Sequence, residues 1–120
     1  MRYILLIYNN PATLEAFSEA ELAEVMSDVD TIMAELAASG EWLGGEALAH
    51  PSQTRTVRVR DGVPAITDGP FMESKEQLAG YCLLECETPE RAAEIGARWP
   101  DARYAAVELR PLMGGSGTEM

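Results

Sequence analysis

A chain of 120 residues that is 47% hydrophobic suits one packed domain, with no room for a second. Acidic residues outnumber basic ones 20 to 9, a net charge of −11, which repels nucleic-acid phosphates and anionic lipid headgroups and removes both as expected partners.

The opening Arg2 to Tyr8 is almost unbroken apolar and ends at the turn cluster Asn9-Asn10-Pro11, with no small-residue cleavage site behind it. It predicts a strand buried on both faces in the middle of a sheet, not a targeting signal. Ser18 and Glu21 form a capping-box pattern, and a helix is predicted from there. Its apolar stripe runs Leu22, Val25, Met26, Val29, Ile32, Met33 and Leu36, with Met26 and Met33 read as core filler, and Gly40 closes it. Glu41 to Leu48 reads as a strand with a bulge at Gly44-Gly45. Arg55 to Arg60 and Val63 to Thr67 flank Asp61-Gly62, a strong signal for a half-exposed hairpin whose arginines are edge-strand charges.

Leu78 to Cys86 is a further apolar strand. Its cysteines, Cys82 and Cys86, fall four apart, which places their Cα atoms about 13 Å from each other at about 3.3 Å per residue and excludes a disulfide. Free, buried thiols and a reducing, cytoplasmic setting are expected. Thr88 caps a second helix with Pro89 at its first position and an inner stripe of Ala92, Ile95, Gly96 and Trp99. A last strand is predicted over about Arg103 to Arg110. The domain is expected to span 1–112, followed by a flexible tail over 113–120.

With the hairpin set aside as an insertion, the order is β-α-β-β-α-β, a ferredoxin-like α+β arrangement. Two helices cover only one sheet face, yet Arg2 to Tyr8 shows no polar alternation. A second copy of the chain is the simplest cover for the other face, so a homodimer is expected.

The segment Asp68-Gly69-Pro70-Phe71-Met72-Glu73-Ser74-Lys75-Glu76-Gln77-Leu78-Ala79-Gly80-Tyr81 closely resembles the DGPFxExKExLxGY signature of the YCII-related family, often called DGPF proteins. The opening RYILLIY, the hairpin TVRVRDG and the closing VELRP resemble that family too, so the likeness covers most of the chain. It implies a dimeric ferredoxin-like α+β barrel. Some relatives are linked genetically to extracytoplasmic-function sigma factors, and a more distant branch includes a dehydrochlorinase thought to use a His-Asp pair. The only histidine, His50, lies in the Ala49-His50-Pro51-Ser52 loop, away from the first strand and helix, so that pair is not carried over.

The signature is the first place to look for chemistry. Asp68, Glu73 and Lys75 are candidate catalytic groups: a carboxylate desolvated beside Phe71 could serve as acid or base, and Lys75 could hold an anion. Tyr3, Tyr8, Trp42, Phe71 and Glu76 are candidate substrate-binding residues. The competing reading is structural: Asp68 caps the turn, Lys75 pairs with a carboxylate in solvent, and Gly69-Pro70 sets the chain direction. His50 with Glu46 supplies two metal ligands without a third, so no metal site is expected. There is no G-x-G-x-x-G, P-loop, H-E-x-x-H or nucleophile elbow, so no nucleotide or other cofactor is expected. Two functional classes stand side by side: a cofactor-independent enzyme, lyase- or isomerase-like, acting on a small organic acid or aromatic, and a non-enzymatic regulatory or protein-interaction module.

Overall fold

Strand β1 (Arg2–Asn9) carries the longest apolar run and takes a central place in a four-stranded antiparallel sheet, between β5 (Gln77–Glu85) and β6 (Ala106–Pro111). Strand β2 (Trp42–Ala47) pairs with the outer edge of β5, giving the order β2-β5-β1-β6. A computed structural model describes residues 1–114; positions 115–120 of the expected tail lie outside the described residues. The hairpin of β3 (Arg55–Arg60) and β4 (Val63–Asp68) forms a separate two-stranded sheet. With that insertion removed, the chain is the expected ferredoxin-like α+β domain.

The helices form where the sequence caps them. Helix α2 (Glu19–Ser39) starts in a complete capping box, with Ser18 Oγ accepting from the Glu21 amide at 3.1 Å and the Glu21 carboxylate accepting from the Ser18 amide at 3.0 Å. Gly40 ends it in the left-handed region at φ 82°. Helix α3 (Pro89–Arg98) is capped by Thr88, and Ala92, Ile95 and Gly96 are buried, as is Trp99 at its C-cap. Two short helices were not read from sequence. Helix α1 (Pro11–Glu15) occupies the supposed turn, with the Asn10 side chain accepting from the Ala12 amide. Helix α4 (Asp101–Tyr104) takes the residues where the last strand was expected to begin. The hairpin turns at Asp61 (φ 51°) and Gly62 (φ 77°), the two positive values that a tight two-residue hairpin turn demands.

The core lies between the helices and one sheet face. Tyr3, Leu5 and Ile7 of β1 meet Cys82 and Leu84 of β5, Ile32 and Leu36 of α2, and Ile95 of α3. Cys82 and Cys86 are free and buried. The opposite face, with Ile4, Leu6, Tyr81 and Leu83, is half-buried within one chain, so β1 is fully covered on one side only. Met26 is 61% exposed and Met33 36%, so neither is core filler: α2 presses onto the sheet through Ile32 and Leu36, with Val29 partly buried against the same core. The hairpin is more exposed than expected, with Val57, Val59, Val63 and Ile66 all 60% or more accessible. No helix among the described residues is long and apolar enough to cross a membrane.

One ion pair ties Glu41, just ahead of β2, to α3. Arg91 Nε donates to Glu41 Oε2 at 2.7 Å and Nη2 donates to Oε1 at 2.8 Å, a two-pronged contact. The Arg91 hydrogen bonds hold the Glu41 carboxyl at about 2, well below its ordinary 4.5. A carboxyl depressed by folding contributes stability above its unfolded value and loses it as pH falls toward the folded one. Melting temperature should therefore drop between about pH 4.5 and 2, and Glu41→Gln should make that drop shallower while lowering the plateau at neutral pH. Melts of the two proteins that run parallel over that range would show the pair to be energetically idle.

Candidate functional site

A cavity of about 630 Å³ opens between α2 and the helix-facing side of the sheet. Its walls are mainly apolar: Leu22, Val25, Val29 and Met33 from α2, Ile7 from β1, and Trp42 and Trp99 at its flanks. Cys82 also lines it, but burial pushes its thiol up to about 12, so it is not a thiolate nucleophile at neutral pH. The floor includes Gly45 and Gly80. A Cβ on Gly45 would fall 2.9 Å from the Trp42 ring and 2.5 Å from the Tyr81 carbonyl oxygen, so glycine is what allows the indole to lie against β2.

Polar groups reach the cavity from two ends. At the buried end, Asn9 (8% exposed) donates through Nδ2 to Asp101 Oδ2 at 3.0 Å, joining the last residue of β1 to the first of α4. At the open end stand His50 and Glu15, with His50 Nε2 3.7 Å from Glu15 Oε1. The Ser52 backbone N–H donates to His50 Nδ1 at 3.1 Å, which makes that nitrogen an acceptor and places the neutral ring's hydrogen on Nε2. Such an arrangement can seat a small ring compound against tryptophan, accept a proton or hydrogen bond at the buried carboxylate, and donate one from the imidazole. Among the described residues no group of three or more His, Cys, Asp or Glu is placed to hold a metal ion.

The candidate residues read from sequence are placed differently. Trp42 lines the cavity, whereas Tyr3 is buried in the core at 3% exposure, because odd positions of β1 face the helices. Tyr8 lies on the opposite face, where Glu108, as hydrogen-bond acceptor, and burial raise its phenol above the ordinary value. Asp68 ends β4 with its side chain 95% exposed and only Arg55 near, Nε to Oδ1 3.9 Å. Phe71 is 68% exposed beneath the Arg58 guanidinium, 4.9 Å from its ring centre. Lys75 and Glu76 are exposed. Glu73 borders a shallow depression of about 290 Å³ together with Pro70 and Ser74. That depression shares Pro11, His50 and Pro51 with the larger cavity, so the signature loop reaches its rim. Within one chain the loop is thus a rim element, and it does not gather Asp68, Glu73 and Lys75 around a common point.

The loop is well fixed. Gly69 takes φ 99°, a value side chains resist; its amide donates to Thr54 O at 2.8 Å and its carbonyl accepts from Thr56 Oγ1 at 2.8 Å. Gln77 Nε2 donates to the Ser74 carbonyl at 2.8 Å and closes the other end.

The YCII-related domain model matches residues 1–114, nearly all of the sequence. The chain belongs to the YCII-related family. An uncharacterised protein of Rhizobium meliloti is 30% identical to this YCII-related chain, over 93% of it and 92% of the relative. Among solved structures, the 5-chloro-2-hydroxyhydroquinone dehydrochlorinase TftG of Burkholderia phenoliruptrix AC1100, in complex with 2,5-dihydroxybenzoquinone, superposes with a TM-score of 0.56. That likeness covers 97% of each chain at 12% identity and establishes a shared fold.

Asn9, Glu15, His50 and Asp101 were not singled out as a site from sequence. Glu15 was within reach, because Asn10-Pro11 repeats the cap-then-proline signal used correctly at Thr88-Pro89. The Asn9–Asp101 contact spans 92 positions and has no local signal. Gly45→Val should force Trp42 off the cavity floor and lower stability by about 1 to 3 kcal/mol, the usual range for overpacking. Tryptophan emission and the melting curve check this together; a variant unchanged in both would mean that the indole does not rest on β2.

Proposed function

We propose that this YCII-related chain binds a small, largely apolar organic molecule in the cavity between α2 and the sheet, and acts on it by acid–base chemistry without a resident cofactor. The observation that carries the reading is the cavity itself: an apolar chamber flanked by both tryptophans, with a carboxylate at its buried end and an imidazole at its open end. Groups that accept and donate protons around a bound ring suit a lyase- or isomerase-type step. A dehydrochlorinase of the same fold in complex with a dihydroxylated ring supports the size and kind of ligand. Glu73 and the signature loop frame the entrance in this reading, and Asp68 and Lys75 act on the approach of the ligand and not on its reacting atoms.

The working form in this proposal is a homodimer. Ile4, Leu6, Tyr81 and Leu83 leave an apolar stripe on the open sheet face, and Val57, Val59 and Ile66 leave another along one face of the hairpin. The hairpin residues are 60% or more exposed and the sheet-face residues are only half-buried within one chain, so both stripes are open to a covering partner. A second copy covers them with like surface and closes two sheets into a barrel. The same exposed hairpin is the one feature that favours the alternative, a regulatory module that docks on another protein such as a sigma factor. Two free, buried cysteines fit a reducing, cytoplasmic compartment.

Because both tryptophans line the cavity, naphthol added to the intact protein should quench tryptophan emission saturably, and Val25→Phe, which narrows the cavity from α2, should weaken that binding several-fold. Absence of quenching, or quenching indifferent to Val25→Phe, would contradict the cavity as the ligand site. Light scattering at micromolar concentration should give about twice 13.0 kDa; a stable monomer would leave the apolar stripes to another partner.

A further inference from the structure

We infer that the Asn9–Asp101 pair is the recognition group of the cavity and that it selects uncharged, hydroxyl-bearing rings over carboxylic acids. The inference rests on the cavity being the ligand site, as proposed above, and goes further by naming the ligand class and the atoms that read it.

Three observations converge. Both residues are nearly sealed, at 8% and 9% exposure, and one of the two Asn9 amide N–H groups donates to Asp101 Oδ2 at 3.0 Å. Among the described residues no donor is bonded to Asp101 Oδ1, and no fully enclosed side-chain oxygen or nitrogen lacks a partner. The second carboxylate oxygen is therefore not sealed off, and Asp101 is one of the residues that line the cavity. An ionised carboxylate only accepts, and the Asn9 side-chain oxygen beside it only accepts. The Asp101 oxygen thus asks the ligand for a donor, and the second Asn9 N–H offers a hydrogen bond back to the oxygen of a donating hydroxyl.

The lining carries no compensating cation. Its charged side chains are Glu15, Glu46 and Asp101, with His50 at the open end, and neither lysine nor arginine is among the lining residues. A ligand carboxylate reaching the buried end would face Asp101 across a mainly apolar space, where like charges repel strongly and solvation is lost. The protein's net charge of −11 adds to that repulsion at longer range. A neutral hydroxyl meets neither cost and gives Asp101 Oδ1 a charge-assisted hydrogen bond, while its ring packs on Trp42.

Calorimetry on the full chain with naphthol and with naphthoate, matched in ring and different in head group, tests this. Wild type should bind naphthol at least roughly ten-fold more tightly, the factor expected of one hydrogen bond to a charged group. Asp101→Asn keeps an oxygen for Asn9 to bond and turns an N–H into the cavity in place of the open acceptor, so naphthol should weaken by a similar factor and naphthoate should gain. Naphthoate binding wild type as tightly as naphthol overturns the inference and leaves the cavity reading standing, as does an Asp101→Asn protein that melts normally yet binds both probes as wild type does. Binding of neither probe overturns the cavity reading and this inference together. Should Asp101→Asn fail to fold, the wild-type preference alone decides.

Discussion

Helix α2 is attached to the rest of the molecule at its two ends, and everything that follows depends on the gap between them. Near its C-terminus Ile32 and Leu36 are sunk into the core, at 3% and 1% exposure, whereas Leu22 and Met26 on earlier turns are 41% and 61% exposed. Ahead of its N-terminus the Phe17 ring packs edge-on against Tyr104 of α4, with ring centres 5.2 Å apart. A helix held this way need not follow the twist of the sheet beneath it. Val25, Val29 and Met33 line the space left between without filling it, and it becomes the cavity. Trp42 can flank that space because Gly45 removes the one Cβ that would lift it.

Segments with no local reason to meet are brought to that space by the sheet order. Strand β1 ends beside α4, which puts Asn9 against Asp101, and the loop after β2 returns His50 to the side of α1, where Glu15 lies. The signature loop then closes the approach, held by Thr54, Thr56 and Gln77 and bent at Gly69. Its rigidity shapes a rim. The hairpin that precedes it forms its own two-stranded sheet and supplies no residue to the cavity lining, so cavity and hairpin are separable parts of one small domain.

Much of the fold was legible because its signals are local. Ser18 with Glu21, Thr88 with Pro89, Gly40 and Asp61-Gly62 each satisfy a short-range backbone need, and the elements stand where those residues put them. Helix α1 was hidden by reading Asn10-Pro11 as a turn, although an asparagine followed by proline equally begins a helix. Met26 and the exposed part of α2 misled for a different reason: periodicity shows which face is apolar and not whether anything lies against it. Site residues were the least legible. The signature draws attention by its density of charge, yet Asp68, Lys75 and Glu76 are exposed within one chain. Asn9 and Asp101 look unremarkable in their local contexts and acquire meaning only from the pairing of β1 with β6 and the turn of chain at Pro100.

The central claim is that the space beneath α2 is where this protein meets its ligand, and the most direct measurement is a crystal structure of the chain soaked with naphthol. Density for the ring between Trp42 and the Asn9–Asp101 pair, with the hydroxyl toward Asp101 Oδ1, is the predicted result. Density confined to the surface around Phe71 and Asp68, with the cavity beneath α2 unchanged, would contradict it.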